Sequence, residues 1–103
     1  MEIINQIAPK TAAETLVLPE TGGSRDINAQ SFMIDSSSGD LAGGESVKIE
    51  YTTDSGLNYK QLNIDGVLTQ LDVDNNVLTV VGKFDLRVVK SATAASVGVI
   101  VKY

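Results

Sequence analysis

Two alternating runs of apolar and polar residues flank a turn in the stretch VKIEYTTDSGLNYKQLNI, residues 47–64, which decides the fold. The apolar members of each run fall on one side of an extended chain, because successive side chains of a strand leave opposite faces of the pleat. Between the runs, the carboxylate of Asp54 can accept hydrogen bonds from backbone N–H groups, and Gly56 can adopt a positive φ angle. The stretch therefore predicts a β-hairpin with one half-buried face.

Runs of the same kind recur along the chain, separated by clusters of turn residues. Outside the hairpin the predicted strands are 14–18, 30–34, 66–71, 77–81, 83–88 and 96–103. β-Branched residues dominate them, as is typical of sheets, and no stretch keeps a helical period, although 91–95 fits either one helical turn or a loop. The sequence predicts an all-β fold: a single antiparallel β-sandwich or jelly-roll-like domain of about eight short strands over 14–103.

Length and composition fit one globular domain. The 103 residues are near the usual domain size, and 43% of them are hydrophobic. The chain has no run of about 18 apolar residues, the length that spans a membrane. Its first residues lack the basic start and continuous apolar stretch of a secretory signal peptide. We therefore expect neither contact with a membrane nor secretion by that route.

The absence of Cys and His excludes several kinds of chemistry. Disulfides, zinc sites with Cys or His ligands, Ser-His triads and imidazole proton transfer all require one of these residues. The remaining polar residues show no catalytic spacing, and Lys60, Lys83 and Lys90 are expected to face solvent. We therefore expect a protein that is not an enzyme and that needs no cofactor or metal.

Acidic charge is concentrated in the first half of the chain. Residues 1–46 contain two basic and seven acidic side chains, a balance of −5, whereas residues 47–103 contain six of each sign. Binding of nucleic acid requires a cationic face that neutralises phosphates. Nucleic acid is therefore not an expected partner.

Residues 1–13 differ in pattern from the rest of the chain. They carry Ile3, Ile4 and Ile7, too many large apolar side chains to remain in water, since burying each is worth about 1.5–3 kcal/mol. Pro9 and the small residues after it are not typical of a core strand. The segment is therefore predicted to be an extended N-terminal arm whose isoleucines pack on a neighbouring chain, either in a homo-oligomer expected to be a trimer or on a capsid lattice.

The turn of the central hairpin resembles the Asp box, whose pattern is Ser/Thr-x-Asp-x-Gly-x-x-aromatic. Here Thr52, Asp54, Gly56 and Tyr59 fill that pattern. The resemblance implies a structural turn, in which the Asp54 carboxylate knits the loop and the Tyr59 ring packs beneath it. One copy in 103 residues cannot build a propeller, so no glycosidase activity is implied.

Two further short motifs have structural explanations. Residues 18–22, LPETG, match the sortase recognition pentapeptide, but no apolar span with a basic tail follows them. Chance, a turn built from Pro and Gly, or an engineered insertion explains them better. Residues 72–76, DVDNN, look like the start of a calcium loop, but Val77 and Lys83 stand where an EF-hand needs Gly and Glu. A solvated hairpin is expected there, with weak calcium binding as the alternative.

The C-terminal two-thirds of the chain resembles small proteins encoded beside the capsid genes of tailed bacteriophages. The resemblance rests on the order of the central hairpin, the Gly-led strand 66–71, the strand 77–81, the strand with Phe84, Leu86 and Arg87, and the Val-Gly-Val-x-Val end at 97–101. Such proteins are similar to head decoration, or cement, proteins, small β domains that clamp neighbouring capsomers. The resemblance implies a structural virion protein that is made in the host cytoplasm and binds the lattice of the major capsid protein, on the outer capsid surface.

A carbohydrate- or receptor-binding β module, from a phage tail fibre or a surface adhesin, is the alternative from another class. Such a module exposes aromatic rings against which sugars pack. The aromatic residues of the chain are Phe32, Tyr51, Tyr59, Phe84 and Tyr103. Most of them fall on predicted inward positions, so few rings remain for such a platform.

Overall fold

The computed structural model describes residues 3–19 and 28–103, and every regular element in them is a β-strand. The strands are β1 (Ile3–Lys10), β2 (Glu14–Val17), β3 (Ala29–Ile34), β4 (Val47–Thr52), β5 (Lys60–Gln61), β6 (Asn63–Ile64), β7 (Val67–Leu68), β8 (Gln70–Leu71), β9 (Val77–Val81), β10 (Asp85–Lys90) and β11 (Val97–Lys102). The predicted all-β fold is confirmed. Residues 91–95 form a loop without a helical turn.

The strands form a sandwich of two antiparallel sheets. The first sheet has the order β1-β11-β3-β9, and the second has the order β2-β10-β4-β5, with β8 also paired to β4. Because β5 and β8 share the position beside β4, each sheet has four strand positions. Apart from the stretch between β4 and β8, consecutive strands alternate between the sheets, which is the connectivity of a jelly roll.

Alternation along the strands places every second side chain between the sheets. On β10 the inward residues include Leu86 and Val88, and Val88 lies beside Ile49 of β4. In the opposite sheet, Phe32 of β3 is fully buried beside Val101 of β11. The core is therefore built from the faces that the alternating pattern predicts.

The prediction that residues 1–13 form an arm packed outside their own domain is wrong for residues 3–10, which form β1 at the edge of the first sheet. Ile3 and Ile4 lie on this strand, which pairs with β11. Ile7 lies opposite Val99, and its side chain is fully buried. Ile7 therefore packs in the core of its own chain and not on a neighbouring one.

Irregular pairing explains why the pattern of this strand was misread. The register between β1 and β11 shifts twice, once before Asn5 and once after Ile7. Each shift breaks the period of two by which a strand is recognised. Pro9 is tolerated because an edge strand has N–H groups that need no partner. Since the trimer was expected from an arm that packs on a neighbouring chain, the pairing of β1 with β11 removes the basis for that expectation.

Strands β5 to β8 form a long hairpin. Its base, β5 and β8, pairs with β4 of the second sheet, and its end, β6 and β7, extends beyond that sheet. Near its base both arms bond to β4: Leu62 N–H donates to the Ile49 carbonyl at 2.9 Å, and Ile49 N–H donates to the Thr69 carbonyl at 3.1 Å. Leu62 is buried in the core. Beyond this point β6 and β7 pair with each other in a separate two-stranded sheet. The predicted strand 66–71 is therefore divided in two.

Lys90, which was expected to face solvent, is buried on the inner face of β10, with only 1% of its surface exposed. Its Nζ atom donates hydrogen bonds to the carbonyls of Ala12 and Ser91, at 3.0 and 3.1 Å, and to Thr93 Oγ1 at 3.0 Å. Burial lowers the pKa of Lys90, whereas the negative charge of Glu45 acts in the opposite direction. An ammonium group has three N–H donors, so each donor has an acceptor.

The loops that meet at Lys90 are also bonded to each other. Thr93 N–H donates to the Thr11 carbonyl at 2.9 Å. The Glu45 carboxylate accepts hydrogen bonds from the N–H groups of Ala42 and Ala94, both at 2.8 Å, and these bonds lower the pKa of Glu45. Polar contacts therefore join three connections between the sheets at this end of the sandwich.

Replacing Ile7 by Ala is expected to lower the free energy of unfolding by about 2–5 kcal/mol, because the change leaves a cavity between the sheets. The control Gln6→Ala removes an exposed side chain from the same strand and should cost less than about 0.5 kcal/mol. Urea unfolding followed by circular dichroism measures both. If Ile7→Ala proves as stable as the control, β1 is not part of the core.

Replacing Lys90 by Met is expected to lower the free energy of unfolding by about 1–3 kcal/mol, because the Ala12 and Ser91 carbonyls and the buried Thr93 hydroxyl lose their donor. The control Lys60→Met alters an exposed lysine of β5 and should be nearly neutral. Hydrogen exchange of the Thr93 amide should accelerate in Lys90→Met alone. Unchanged or increased stability would show that desolvation of the ammonium outweighs its hydrogen bonds.

Candidate functional site

The β6–β7 hairpin, residues 63–68, is exposed along its whole length. Ile64 pairs with Val67 around a two-residue turn, in which Asp65 and Gly66 have φ angles of 53° and 82°. A type I′ turn requires positive φ at both central residues, and Asp-Gly is one of its preferred sequences because Gly accepts that conformation freely. The local sequence therefore encodes a tight hairpin.

Three large apolar side chains of this hairpin face solvent. Ile64, Val67 and Leu68 are 42%, 68% and 53% exposed, and we refer to them as the hairpin tip. In the described part of the chain no other strand pairs with β6 or β7. A two-stranded hairpin is at best marginally stable alone, so the buried Leu62 at its base is what holds the element in place. Apolar patches that remain exposed are typical of protein contact sites.

Strand β9 presents a second apolar surface. Val77 and Val81 are 56% and 75% exposed. β9 is an edge strand of the first sheet, and it contacts β8 of the second sheet. The long hairpin starts from β5 and returns to β8, so both apolar surfaces belong to the same side of the sandwich. Val73, in the connection between β8 and β9, adds to it.

Hydrogen bonds of the Asp54 carboxylate close the turn of the central hairpin. Its Oδ1 accepts from Thr52 Oγ1 at 2.8 Å and from Asn58 N–H at 2.9 Å, and its Oδ2 accepts from Asn58 Nδ2 at 2.8 Å. These bonds from Asn58 and Thr52 lower the pKa of Asp54 to about 2. Gly56, with a φ of 89°, donates its N–H to Thr52 Oγ1 at 3.0 Å. Both carboxylate oxygens are therefore engaged within the turn.

Tyr59 anchors this turn to the second sheet. The centre of its ring lies 3.9 Å from the guanidinium carbon of Arg87, a cation–π contact. Arg87 forms an ion pair with Glu50 of the neighbouring strand at 2.6 Å. The structure thus brings Asp54, Gly56 and Tyr59 together in one turn, whereas Ile7 lies in the core. The arrangement of these three residues explains local structure, with both carboxylate oxygens of Asp54 bonded inside the turn.

The motif DVDNN at 72–76 forms a turn closed by its own bonds. Asp72 Oδ1 accepts from Asp74 N–H at 3.0 Å, and Asp72 and Asn75 are bridged through their backbones. No cluster of three His, Cys, Asp or Glu side chains that could hold a metal ion occurs in residues 3–19 or 28–103. The Asp72 carboxylate therefore accepts a backbone hydrogen bond within the turn.

The LPETG motif at 18–22 falls only partly within the described residues, because residues 20–27 lie outside them. Leu18 is buried in the core, and its N–H donates to the Leu86 carbonyl at 3.1 Å. An enzyme that reads this motif must therefore first pull Leu18 from the core and break its bond to β10.

No protein-family model matches the chain, and neither a curated protein nor a solved structure matches it. Among the described residues, no helix has the length and hydropathy required to cross a bilayer. The candidate site therefore rests on the geometry of the chain itself.

Sequence reasoning assigned partner contacts to Ile3, Ile4 and Ile7 and did not predict the hairpin tip. A signal for it was available. A lone Asp-Gly pair between two apolar residues, as at residues 64–67, is a signature of a two-residue hairpin. The pattern does not indicate that Leu62 packs in the core, or that residues 63–68 extend beyond the second sheet.

Replacing Asp54 by Asn is expected to remove an acid-dependent component of stability. Because the pKa of Asp54 falls from 3.8 to about 2 on folding, its ionised form stabilises the folded state above pH 3.8, and this contribution is lost as the pH falls toward 2. Thermal unfolding between pH 5 and pH 2 measures the slope. The control Thr53→Ala, at an exposed residue of the same turn, should keep the slope of the unmodified chain. An unchanged slope in Asp54→Asn would contradict the assigned role.

Proposed function

We propose that this chain is a non-enzymatic structural virion protein that decorates a bacteriophage capsid and stabilises it by bridging neighbouring capsid subunits. It is made in the host cytoplasm and occupies the outer capsid surface. The observation that carries the proposal is the hairpin tip, three solvent-facing apolar side chains on an element with a buried base. The resemblance of the C-terminal two-thirds to decoration proteins supplies the class of partner.

The fold is compatible with this role but does not decide it. Jelly rolls occur in viral capsid domains and in lectin domains alike, and a fold by itself does not imply a function. The choice between the two classes depends on the exposed apolar side chains, and among the described residues the large ones are all aliphatic. Aliphatic side chains suit contacts with another protein.

Weak contacts suffice for a protein of this kind. Full burial of one Val, Leu or Ile side chain contributes about 1.5–3 kcal/mol, and the tip offers three such side chains on the strands that flank a two-residue turn. A capsid presents many equivalent sites, and a protein that touches two subunits at once gains affinity because its second contact is intramolecular. Each hairpin tip would thus contribute a modest binding energy, and simultaneous contacts with two subunits of the lattice would raise the overall affinity.

The alternative, a carbohydrate-binding module, would use a surface pocket of about 330 Å³ beside the Asp54 turn. Tyr51, Asn58 and Lys60 line it together with Asp54. Asp54 and the amide of Asn58 are bonded to each other, and the Tyr51 ring packs partly against the core. None of the five aromatic side chains is in an exposed position. The pocket therefore offers no ring platform, and the capsid role is the better supported.

The purified chain is expected to sediment with expanded heads of the phage that encodes it, and to be found in virions by mass spectrometry. Replacing Val67 by Ser should weaken head binding about tenfold or more, because the tip loses apolar surface that binding would bury. The control Leu57→Ser changes another highly exposed apolar residue, in the Asp54 turn, and should bind as the unmodified chain does.

Absence of the chain from virions together with failure to bind heads would refute the proposal. Equal binding by Val67→Ser and Leu57→Ser would place the contact elsewhere. A signal on a glycan array that Tyr51→Ala abolishes would favour the carbohydrate-binding alternative.

A further inference from the structure

The outer edge of β9 carries backbone groups without a partner strand. Hydrogen bonds to β3 are made by the even-numbered residues: Ile34 N–H donates to the Asn76 carbonyl at 3.0 Å, and Gly82 N–H donates to the Asn28 carbonyl at 2.8 Å. In an antiparallel pair the bonded residues alternate along the strand. The N–H and C=O groups of Val77, Thr79 and Val81 therefore point away from β3, and within the described residues no strand pairs with them.

The two edges of the first sheet differ in how they are protected. The β1 edge has two register shifts, a proline and Lys10, features that prevent a further strand from adding. The β9 edge has none of these features, since its sequence is Val-Leu-Thr-Val-Val and its pairing with β3 is regular. A regular, uncharged, exposed edge of this kind is a template for pairing with another chain.

We propose that β9 pairs with β9 of a second copy of this chain, antiparallel and about a two-fold axis at Thr79. The register places Thr79 opposite its copy and Val77 opposite Val81. All three outward-facing residues then fall in hydrogen-bonded pairs, and each contributes one N–H and one C=O. The two four-stranded sheets become one continuous sheet of eight strands. The contact is isologous and closes after two copies, so the edge cannot recruit a third.

The side chains match this register. Val77, Thr79 and Val81 lie on the same face of the strand, away from the core, because they alternate with the inward residues Leu78 and Val80. Pairing brings the exposed valines of one copy beside those of the other, and such cross-strand pairs of β-branched residues stabilise a sheet. A heterologous partner would need to supply the same complementary pattern, which a second copy supplies by symmetry.

Charge also favours a second copy. The chain carries a net charge of −5, but β9 itself has no charged residue, so pairing brings no like charges together. Asp74 precedes β9 and Lys83 follows it. In the antiparallel arrangement the acidic start of one strand lies near the basic end of the other.

The interface between the two strands is short, so we expect the dimer to have a dissociation constant on the order of 1–100 μM.

Single cysteines test the register, because the natural chain has none. Thr79→Cys should form a disulfide dimer rapidly under mild oxidation, since residues in a hydrogen-bonded pair have Cα atoms about 5.5 Å apart, within the range a disulfide spans. Val77→Cys should cross-link far more slowly, because the same residue in the copy is about four strand positions away, roughly 13 Å. Val17→Cys, on exposed β2, reports random collision. Equal rates for all three variants would overturn the proposal.

Native mass spectrometry and sedimentation of the unmodified chain at about 10–300 μM test the dimer itself. Thr79→Pro removes a central outward N–H group, while the even-numbered residues of β9 keep their hydrogen bonds to β3. It should raise the dissociation constant of the dimer at least tenfold. Val77→Lys should act likewise, and the matched Val17→Lys should leave the dimer unchanged. Circular dichroism verifies that each variant folds. A strictly monomeric chain, or a dimer that survives both β9 substitutions, would refute the pairing; neither result depends on capsid binding.

Discussion

The buried ammonium group of Lys90 is the constraint on which the arrangement of the sheets depends. It sits between β1–β2 and β10–β11, two of the three connections that carry the chain from one sheet to the other at this end. A buried charge is costly unless every donor finds an acceptor, so the surrounding loops can adopt only conformations that present those acceptors. We interpret Lys90 as specifying one relative position of the two sheets. Apolar contacts are not directional, so the core packs in the position that the Lys90 hydrogen bonds select.

The constraint divides the molecule into two sides with different roles. The side with β1 and β2 is closed by bulges, a proline and the Lys90 contacts, and it exposes few large apolar side chains. The side with β9 and the long hairpin carries exposed aliphatic residues on a free strand edge and on a tight turn. If both proposals hold, a dimer joined through β9 would carry two hairpin tips, one on each copy, and would contact two capsid subunits at once.

Much of the fold follows from the alternating pattern, and the failures have identifiable physical causes. β9, β10 and β11 are regular, and sequence periodicity locates them to within a few residues. β1 was misread because its two register shifts break the period. Lys90 continues the inward series of Leu86 and Val88, yet the usual preference of lysine for solvent outweighed that signal in the sequence reading. The hairpin tip was missed because a strand pattern does not report where a strand leaves its sheet.

The position of β11 has a consequence for the timing of folding. This strand lies between β1 and β3, yet among the described strands a ribosome makes it last. Until residues 97–102 emerge, β1 has no partner in the first sheet, and the apolar surface of Ile7 cannot be covered as it is in the finished fold. Closing so long a loop is entropically slow, and β folds rich in such distant pairings form on the order of milliseconds to seconds. The newly made chain therefore needs β11 before β1 and β3 can be joined in the first sheet.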